Sequence, residues 1–278
     1  MKIKYLGLLI LLFVGFTHLN GQSISVMSFN IRYDNPNDNE NWWNNRKPEV
    51  VEFINSYHPN ILGIQEGLDN QVKYILENTT NYSYIGVGRD DGMKQGEFSA
   101  IFFDTTKLDL IYQNTIWLSK TPEKVSVGWD ASMERICTYG YFKDSETGNY
   151  IYVFNTHFDH IGVKARKKSA KLILSTIKNL GISDSALIVT GDLNSEPTSK
   201  PLKILTRKLE DPVKVLVDNY SGPMGTFNNF NPATDPKTRI DYILTSNLGF
   251  ESYSHINDKR KNGLCISDHL PIFAVLRY

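Results

Sequence analysis

Polar side chains stand at the ends of several strand-like apolar runs, and this arrangement constrains the fold more than any other feature of the chain. Gly191-Asp192-Leu193-Asn194 follows the apolar run at residues 186–189 almost directly. Asn30, Glu66 and His157 also follow apolar runs, and Asp268-His269 precede another. A carboxylate or imidazole in such a position needs a metal, a water or a polar partner. The pattern therefore predicts one shared polar site at the ends of several strands.

Segments with strand-like and helix-like spacing of apolar residues alternate along the chain, which predicts an α/β protein. Residues 24–31 and 61–65 are strand-like, and residues 48–57 between them carry apolar side chains at helical spacing. With 278 residues, of which 41% are hydrophobic, the chain can bury one large core. From the residues alone, two stacked sheets flanked by helices and a doubly wound single sheet both remain open.

Six short motifs occur in the order typical of the endonuclease/exonuclease/phosphatase superfamily, which the chain resembles from about Ser23 to its last residue. They are Phe29-Asn30-Ile31, Gln65-Glu66, Asn155-Thr156-His157, Gly191-Asp192-Leu193-Asn194, Arg239-Ile240-Asp241-Tyr242-Ile243 and Ser267-Asp268-His269-Leu270-Pro271. The resemblance is to an exported, bacterial-type member of these deoxyribonuclease-like phosphoesterases. It implies a four-layered αββα sandwich of two mainly antiparallel sheets flanked by helices, with the site at one end of the paired sheets.

The resemblance also implies a set of metal ligands. Glu66 is the expected principal ligand of Mg²⁺ or Mn²⁺, with Asn30 close by and Asp268 at a second position or acting through water. Carboxylate and amide oxygens suit a hard cation, and the chain has no cysteine and histidine spacing of the zinc kind.

Cleavage of a phosphoester by water needs a base and a way to neutralise the phosphoryl oxygens. By resemblance, Asp192 is the base and Asn194 fixes the water or the phosphate through hydrogen bonds. His269 is expected to contact a phosphoryl oxygen, while Asp241 bonds its other ring nitrogen and raises its basicity.

A second histidine and two arginines complete the expected site. His157 is assigned the neighbouring phosphoryl contact, and Glu97 resembles the acid that orients this histidine in the family. Arg135 and Arg46 are expected either to bind phosphate or to brace loops.

The first residues have the composition of a secretory signal peptide. Lys2 and Lys4 precede an apolar stretch at residues 5–16, which is short for a bilayer span of about 20 residues. We expect a signal peptide at residues 1–21 and a catalytic domain at residues 22–278, exported to the periplasm or the extracellular space, without a stable membrane span in the mature form. Cys137 and Cys265 lie in apolar, strand-like surroundings and are expected to remain unbridged.

Charge bears on the substrate. The chain has 30 basic and 30 acidic residues, so it lacks the excess of basic residues typical of proteins that hold long nucleic acids. One basic cluster, from Lys164 to Lys171, lies on a predicted amphipathic helix and is typical of a solvated face, with phosphate steering as the alternative. The sequence thus favours a hydrolase of a phosphodiester or phosphomonoester, acting on a small molecule, a phospholipid head group or nucleic acid. A secreted DNA or RNA nuclease and a catalytically silent binding domain are the alternatives.

Overall fold

The computed structural model describes residues 23–214, 216 and 219–278, so the predicted signal peptide lies outside the described residues. Strands and helices alternate along the described chain. In chain order they are β1 (Ser23–Asn30), α1 (Trp43–Tyr57), β2 (Ile61–Gln65), α2 (Asp69–Asn78), β3 (Tyr82–Ile85), β4 (Ile101–Asp104), β5 (Leu108–Trp117), β6 (Ile136–Asp144), β7 (Tyr150–His157), α3 (Val163–Asn179), β8 (Leu187–Asp192), α4 (Lys200–Leu205), β9 (Tyr220–Ser221), β10 (Asp241–Ser246), β11 (Gly249–His255) and β12 (Ile272–Arg277). Short 3₁₀ helices span Pro36–Asn41 and Pro212–Lys214.

The strands form two sheets. One has seven strands in the order β3-β4-β2-β1-β12-β11-β9, and the other has five in the order β10-β8-β7-β6-β5. The pairs β1/β2, β9/β11 and β7/β8 are parallel, and the remaining neighbours are antiparallel. The prediction of two mainly antiparallel sheets is confirmed, and the single doubly wound sheet is excluded.

Strand alternation divides the apolar residues into three cores. In β1, Val26 belongs to the core between the two sheets, whereas Met27 and Phe29 pack with residues of α1 and α2. In β8, Ile188 joins the core between the sheets, whereas Val189 packs with residues of α3 and α4. Because successive side chains of a strand point to opposite faces, these apolar strands require a covering layer on both sides. The result is a four-layered arrangement of helices, sheet, sheet and helices.

A buried polar contact joins the two sheets. Asn155 of β7 donates through Nδ2 to the carbonyl of Ile64 in β2 at 2.7 Å, and its Oδ1 accepts from Gln65 Nε2 at 2.8 Å. Gly63 makes room for this contact, because a Cβ there would lie 2.4 Å from Thr190 Oγ1 and 2.8 Å from Asn155 Oδ1. These bonds fix the sheets relative to each other beside the polar strand ends.

Both cysteines are buried free thiols, as expected from their apolar surroundings. Within the described part of the chain, no helix combines the length and the apolar character that crossing a membrane requires.

Candidate active site

The seven-stranded sheet brings four polar residues to one edge. Asn30 ends β1 and is paired in register with Gln65, the residue before Glu66 at the end of β2. β12 runs antiparallel to β1, so the start of β12 lies at the same edge as the end of β1. Asp268 and His269 come just before β12 and therefore reach this edge.

The five-stranded sheet contributes three more polar residues. Asp192 ends β8 and is paired in register with His157 at the end of β7 and with Asp241 at the start of β10. β7 and β8 are parallel, whereas β10 is antiparallel to β8. The direction and register of strand pairing therefore place the three side chains next to one another.

An open cavity of about 690 Å³ lies over this shared edge. Most of the predicted site residues line it, namely Glu66, Glu97, Arg135, His157, Asp192, Asn194, Asp268 and His269. Asn30 and Asp241 lie behind its wall, each hydrogen-bonded to a residue that lines it. The structure thus brings together ten of the eleven residues that the sequence singles out.

Arg46 is the exception, and of its two expected roles, phosphate binding and loop bracing, its contacts fit loop bracing. Its side chain is fully buried and donates to the carbonyls of Asn41 at 2.5 Å, Ile31 at 3.1 Å and Ile266 at 2.7 Å. Burial lowers the pKa of Arg46 to about 10. Because the guanidinium is committed to main-chain carbonyls, Arg46 braces the loops behind the cavity instead of reaching a substrate.

Asn30 holds two carboxylates in place. Its Nδ2 donates to Glu66 Oε1 at 3.0 Å and to Asp192 Oδ2 at 3.1 Å, while its Oδ1 accepts from the Arg32 amide at 3.0 Å. In this arrangement the NH₂ group, and not the oxygen, faces the cavity carboxylates. Its role as a direct metal ligand stays a prediction. Glu66 itself has a φ of 63°, a left-handed conformation that costs a non-glycine residue about 1 kcal/mol or more and is typical of functional sites.

Glu66 and Asp268 both line the cavity and offer carboxylate oxygens that suit a hard divalent cation. Burial raises the pKa of Asp268 to about 6, and the nearby Glu66 adds to this effect against the opposing influence of His269. Arg32 NH1 lies 4.0 Å from Glu66 Oε2 and 3.9 Å from Asp268 Oδ2. Desolvated carboxylates that repel one another are stabilised by a bound cation, and oxygen donors are those that Mg²⁺ and Mn²⁺ prefer.

His269 is positioned as a charged imidazolium. Its Nδ1 donates to Asp241 Oδ2 at 2.8 Å, and Thr226 Oγ1 donates to the same oxygen at 2.6 Å. Its Nε2 lies 3.7 Å from Asp192 Oδ2. Burial alone would lower the pKa of His269, but Asp241 and Asp192 raise it well above 6.5. Ligand atoms of Asp192, Asp241 and His269 lie within 4.8 Å of one another. The hydrogen bond between His269 and Asp241 accounts for part of this closeness without an ion.

His157 has the opposite character. Burial, reinforced by the positive charge of Arg135, lowers the pKa of His157 to about 3, so its imidazole is neutral. Asn194 Nδ2 donates to His157 Nε2 at 3.1 Å, which leaves the proton on Nδ1. That Nδ1 faces Glu97 Oε2 at 3.6 Å, beyond hydrogen-bond distance, and Glu97 accepts instead from Arg89 NH1 at 2.7 Å. The expected neighbourhood of Glu97 and His157 is present, with an arginine as the firmer partner of the acid.

Asp192 lies between the two histidines. Burial and then the nearby Asp241 carboxylate raise its pKa above the ordinary value. Its Oδ1 accepts from the amide of Asn194 at 2.8 Å, and its Oδ2 lies 3.5 Å from His157 Nε2. Asn194 has a φ of 43°, and this turn places both residues on the cavity wall.

Arg135 lies at the cavity wall, and only part of its guanidinium is hydrogen-bonded. Its Nε donates to Asp159 Oδ2 at 3.5 Å, and its NH2 lies 3.0 Å from His160 Nδ1. Its NH1 is buried and has no hydrogen-bond partner among the described residues. Its expected contact with phosphate stays a prediction.

The sequence analysis did not single out several other residues that line the cavity, among them Arg32, Arg89 and Phe227. Arg32 is held by Asp38 through Nε at 2.8 Å and has a φ of 59°. Arg89 is the partner of Glu97, and the Phe227 ring packs edge-on against His269 with centroids 5.0 Å apart. The position of Arg32 two residues after Asn30 could have indicated it. Arg89 and Phe227 lie in the polar segments 86–96 and 219–238, which are expected to form loops at the site, but nothing in the sequence marks either residue individually.

Comparisons with known proteins agree with this geometry. The profile that describes the endonuclease/exonuclease/phosphatase family matches residues 27–269. A crystal structure of a family protein from Bacteroides thetaiotaomicron is 37% identical, with a TM-score of 0.88, and the match covers 93% of this chain and 98% of that one. A mannosyl-6-phosphatase from the same organism is 36% identical, with a TM-score of 0.87, over 92% of this chain and 100% of that one. An uncharacterized protein of Acanthamoeba polyphaga mimivirus is 27% identical over 84% of this chain and 91% of its own length.

The profile match spans most of the chain and includes the polar strand ends that form the cavity. The chain therefore belongs to the endonuclease/exonuclease/phosphatase family, whose members are phosphoesterase hydrolases.

Proposed function

We propose that this protein is an exported phosphoric ester hydrolase that depends on Mg²⁺ or Mn²⁺ and uses Asp192 as its general base. The observation that carries the proposal is the convergence of Glu66, Asp192, Asp268 and His269 on one cavity from both sheets. Each of the groups that water attack on phosphorus requires is present in that cavity.

Asp192 suits the role of base for the attacking water. It is almost fully buried, and its raised pKa makes the carboxylate a better proton acceptor than an exposed aspartate. The Asn194 amide holds Oδ1, which leaves Oδ2 to accept the proton of the water. The P–O bond to the leaving group then breaks as the new P–O bond forms.

The two histidines divide the contacts to the phosphoryl group. His269, kept positive by Asp241, neutralises charge on a phosphoryl oxygen and does so more strongly as that charge grows. His157 is neutral, so it acts as a hydrogen-bond partner and not as a charge.

Glu66 and Asp268 would hold the cation, with Asn30 keeping Glu66 in position. A bound Mg²⁺ or Mn²⁺ supplies charge neutralisation at the phosphoryl oxygens. Glu66 and Asp192 are linked through the Asn30 amide, so the cation-binding acid and the base keep a fixed separation.

A small phosphoester, with a sugar phosphate as the first choice, is the proposed substrate. The cavity of about 690 Å³ has the size of a small-molecule site. The relative described as a mannosyl-6-phosphatase supports the same class. The even balance of basic and acidic residues gives little support to a long nucleic acid.

The test is a panel of mannose 6-phosphate, bis-p-nitrophenyl phosphate, DNA and RNA, each with Mg²⁺, with Mn²⁺ and with EDTA. We expect metal-dependent hydrolysis of mannose 6-phosphate and loss of activity in EDTA. Asp192→Asn should lower turnover by about 10²- to 10⁴-fold. The control Asp144→Asn changes an equally buried aspartate that lies outside the cavity and should keep turnover. Faster cleavage of DNA or RNA would favour the nuclease alternative, and no turnover of any ester would favour a silent binding domain.

Export is proposed from the amino-terminal composition. Mass spectrometry of the protein recovered from the periplasm or the medium should give a mature chain that begins at Gln22. A full-length chain confined to the cytoplasm would contradict export and would leave the hydrolase proposal standing.

A further inference from the structure

A second cavity adjoins the active site, and its walls are basic. It measures about 600 Å³ and lies between the amino-terminal turns of α3 and the segment that leads into α4. We call it the basic groove; it is lined by Lys164, Arg166, Lys167 and Lys200 together with Asp130, Val163, Asn194, Ser195, Glu196, Ser199 and Pro201. The carboxylates that form the active site do not line it.

Asn194 connects the two cavities. It lines both of them, and its Nδ2 donates to His157 Nε2 and to the carbonyl of Phe158. The basic groove therefore begins at a side chain that also faces the active-site cavity. A substrate whose phosphoester lies against Asn194 would place its neighbouring part at the entrance of this groove.

The charges of the basic groove are not balanced locally. Four basic side chains face two carboxylates, and one of these, Asp130, accepts from the amides of Ala165 at 2.5 Å and Lys164 at 3.1 Å. In the described part of the chain, the ammonium groups of Lys164, Lys167 and Lys200 form no ion pair, whereas other surface lysines do. The groove thus has free positive charge in a chain that is neutral as a whole.

Arg166 fixes the groove to the active-site wall. Its NH1 donates to the carbonyl of Asp159 at 2.8 Å, and the Asp159 carboxylate in turn accepts from Arg135 Nε at 3.5 Å. Since Arg135 lines the active-site cavity, Asp159 connects the walls of the two cavities. Ser195, which is 5% exposed, also lines the groove, and its Oγ has no partner among the described residues.

We propose that the basic groove binds a second anionic group of the substrate, such as a second phosphate. This inference rests on the proposed function and adds to it a preference for sugar phosphates that carry a second negatively charged group. The groove is too small for a nucleic acid duplex, and its charges match one additional anion. Its lysines would act through ionic contacts that weaken as salt rises.

The experiment compares glucose 6-phosphate with glucose 1,6-bisphosphate, which differ by one phosphate. Binding is measured calorimetrically with Mg²⁺ in the Asp192→Asn background, so that neither ligand is consumed. At low ionic strength the bisphosphate should bind about tenfold more tightly, which is the effect of two or three exposed ion pairs. Lys167→Ser with Lys200→Ser should reduce this preference to about twofold and leave binding of the monophosphate unchanged.

The matched control is Lys168→Ser with Lys203→Ser. These lysines are exposed on the same two helices but do not line the basic groove, so the net charge changes equally. The control should keep the tenfold preference. If both double variants lose the preference for the bisphosphate equally, the effect is one of overall charge and the inference is overturned. It is also overturned if the bisphosphate binds no better than the monophosphate, or if neither ligand binds.

The two proposals fail in different ways. Turnover of phosphoesters without any preference for the bisphosphate would remove the basic groove as a subsite and leave the hydrolase intact. If the protein prefers the bisphosphate through Lys167 and Lys200 but hydrolyses no ester, the basic groove remains an anion-binding site and the hydrolase proposal fails.

Discussion

Replacing Asp241 by asparagine removes a negative charge that lies 2.8 Å from His269 Nδ1. The change keeps the size of the side chain, and Thr226 Oγ1, which now donates to the same carboxylate oxygen, can still donate to an amide oxygen. Asp192 at 3.7 Å from His269 Nε2 and the adjacent Asp268 remain as negative neighbours. The substitution therefore tests one charge and one hydrogen bond.

The magnitude follows from this contact. A buried hydrogen bond to a charged group contributes about 1.5–3 kcal/mol, which corresponds to roughly 10- to 150-fold in rate if it is made fully in the transition state. Asp241 raises the pKa of His269, so its removal lowers that pKa. In the proposed mechanism the imidazolium is the active form, so activity should be lost as pH rises through the pKa of His269. The alkaline limb of kcat/KM should therefore move to lower pH in Asp241→Asn. The acidic limb should also move to lower pH, because the Asp241 carboxylate raises the pKa of the proposed base Asp192.

The assay is hydrolysis of mannose 6-phosphate with Mg²⁺ across the pH range, with urea unfolding as a measure of stability. Asp144→Asn is the control, because its buried carboxylate accepts from the amides of Glu146 and Thr147 far from the cavity. It should lose stability without any shift of the pH profile. A rate within threefold of the wild type, together with an unmoved alkaline limb in Asp241→Asn, would refute the pairing of Asp241 with a charged His269.

Three further outcomes test other parts of the structure. Glu66→Gln should weaken Mg²⁺ or Mn²⁺ binding at least tenfold in a calorimetric titration, because a carboxylate ligand is lost from the donor set; unchanged affinity would place the cation elsewhere. Arg46→Met should lower the free energy of unfolding by about 3 kcal/mol in urea, since the carbonyls of Asn41, Ile31 and Ile266 lose their donor; a loss below about 1 kcal/mol would contradict the bracing role. His255 is 2% exposed, and burial lowers its pKa to about 4, so the folded state resists its protonation while the unfolded chain takes up a proton near pH 6.5. Stability should therefore fall by about 2 kcal/mol from this residue as pH drops from 7 to 5, and His255→Asn should reduce that slope; an equal slope in both proteins would show that His255 is not held neutral.

The strand ends were predictable because their chemistry is local. An apolar run followed by aspartate, glutamate, asparagine or histidine is visible without a structure, and Glu66, Asp192 and His269 all lie where such runs end or begin. The order of the motifs allowed the family and the sandwich fold to be predicted. β11 was not predicted, because Gly249–His255 carries little apolar alternation and only Tyr253 and His255 in it are buried. Its pairing with β12, and not its composition, makes it a strand.

Arg46 shows why some roles could not be read from the residues. An arginine after two tryptophans is equally compatible with a phosphate contact and with a buried brace. The hydrogen bond from Arg46 to the carbonyl of Ile266, 220 residues further along the chain, shows that Arg46 is a buried brace. The basic groove is similar, because Lys167 and Lys200 become neighbours of one cavity only through the packing of α3 against α4.

The sequence by itself determined which ionisable groups stand at which strand ends and, through the order of the motifs, the family to which the chain belongs. Only the tertiary structure decided the state of each group. His157 and His269 are the same residue type at equivalent strand ends, yet His157 is buried beside Arg135 and stays neutral, while His269 is bonded to Asp241 and stays charged. A pKa depends on the charges and the desolvation within a few ångströms, and those neighbours come from distant parts of the chain.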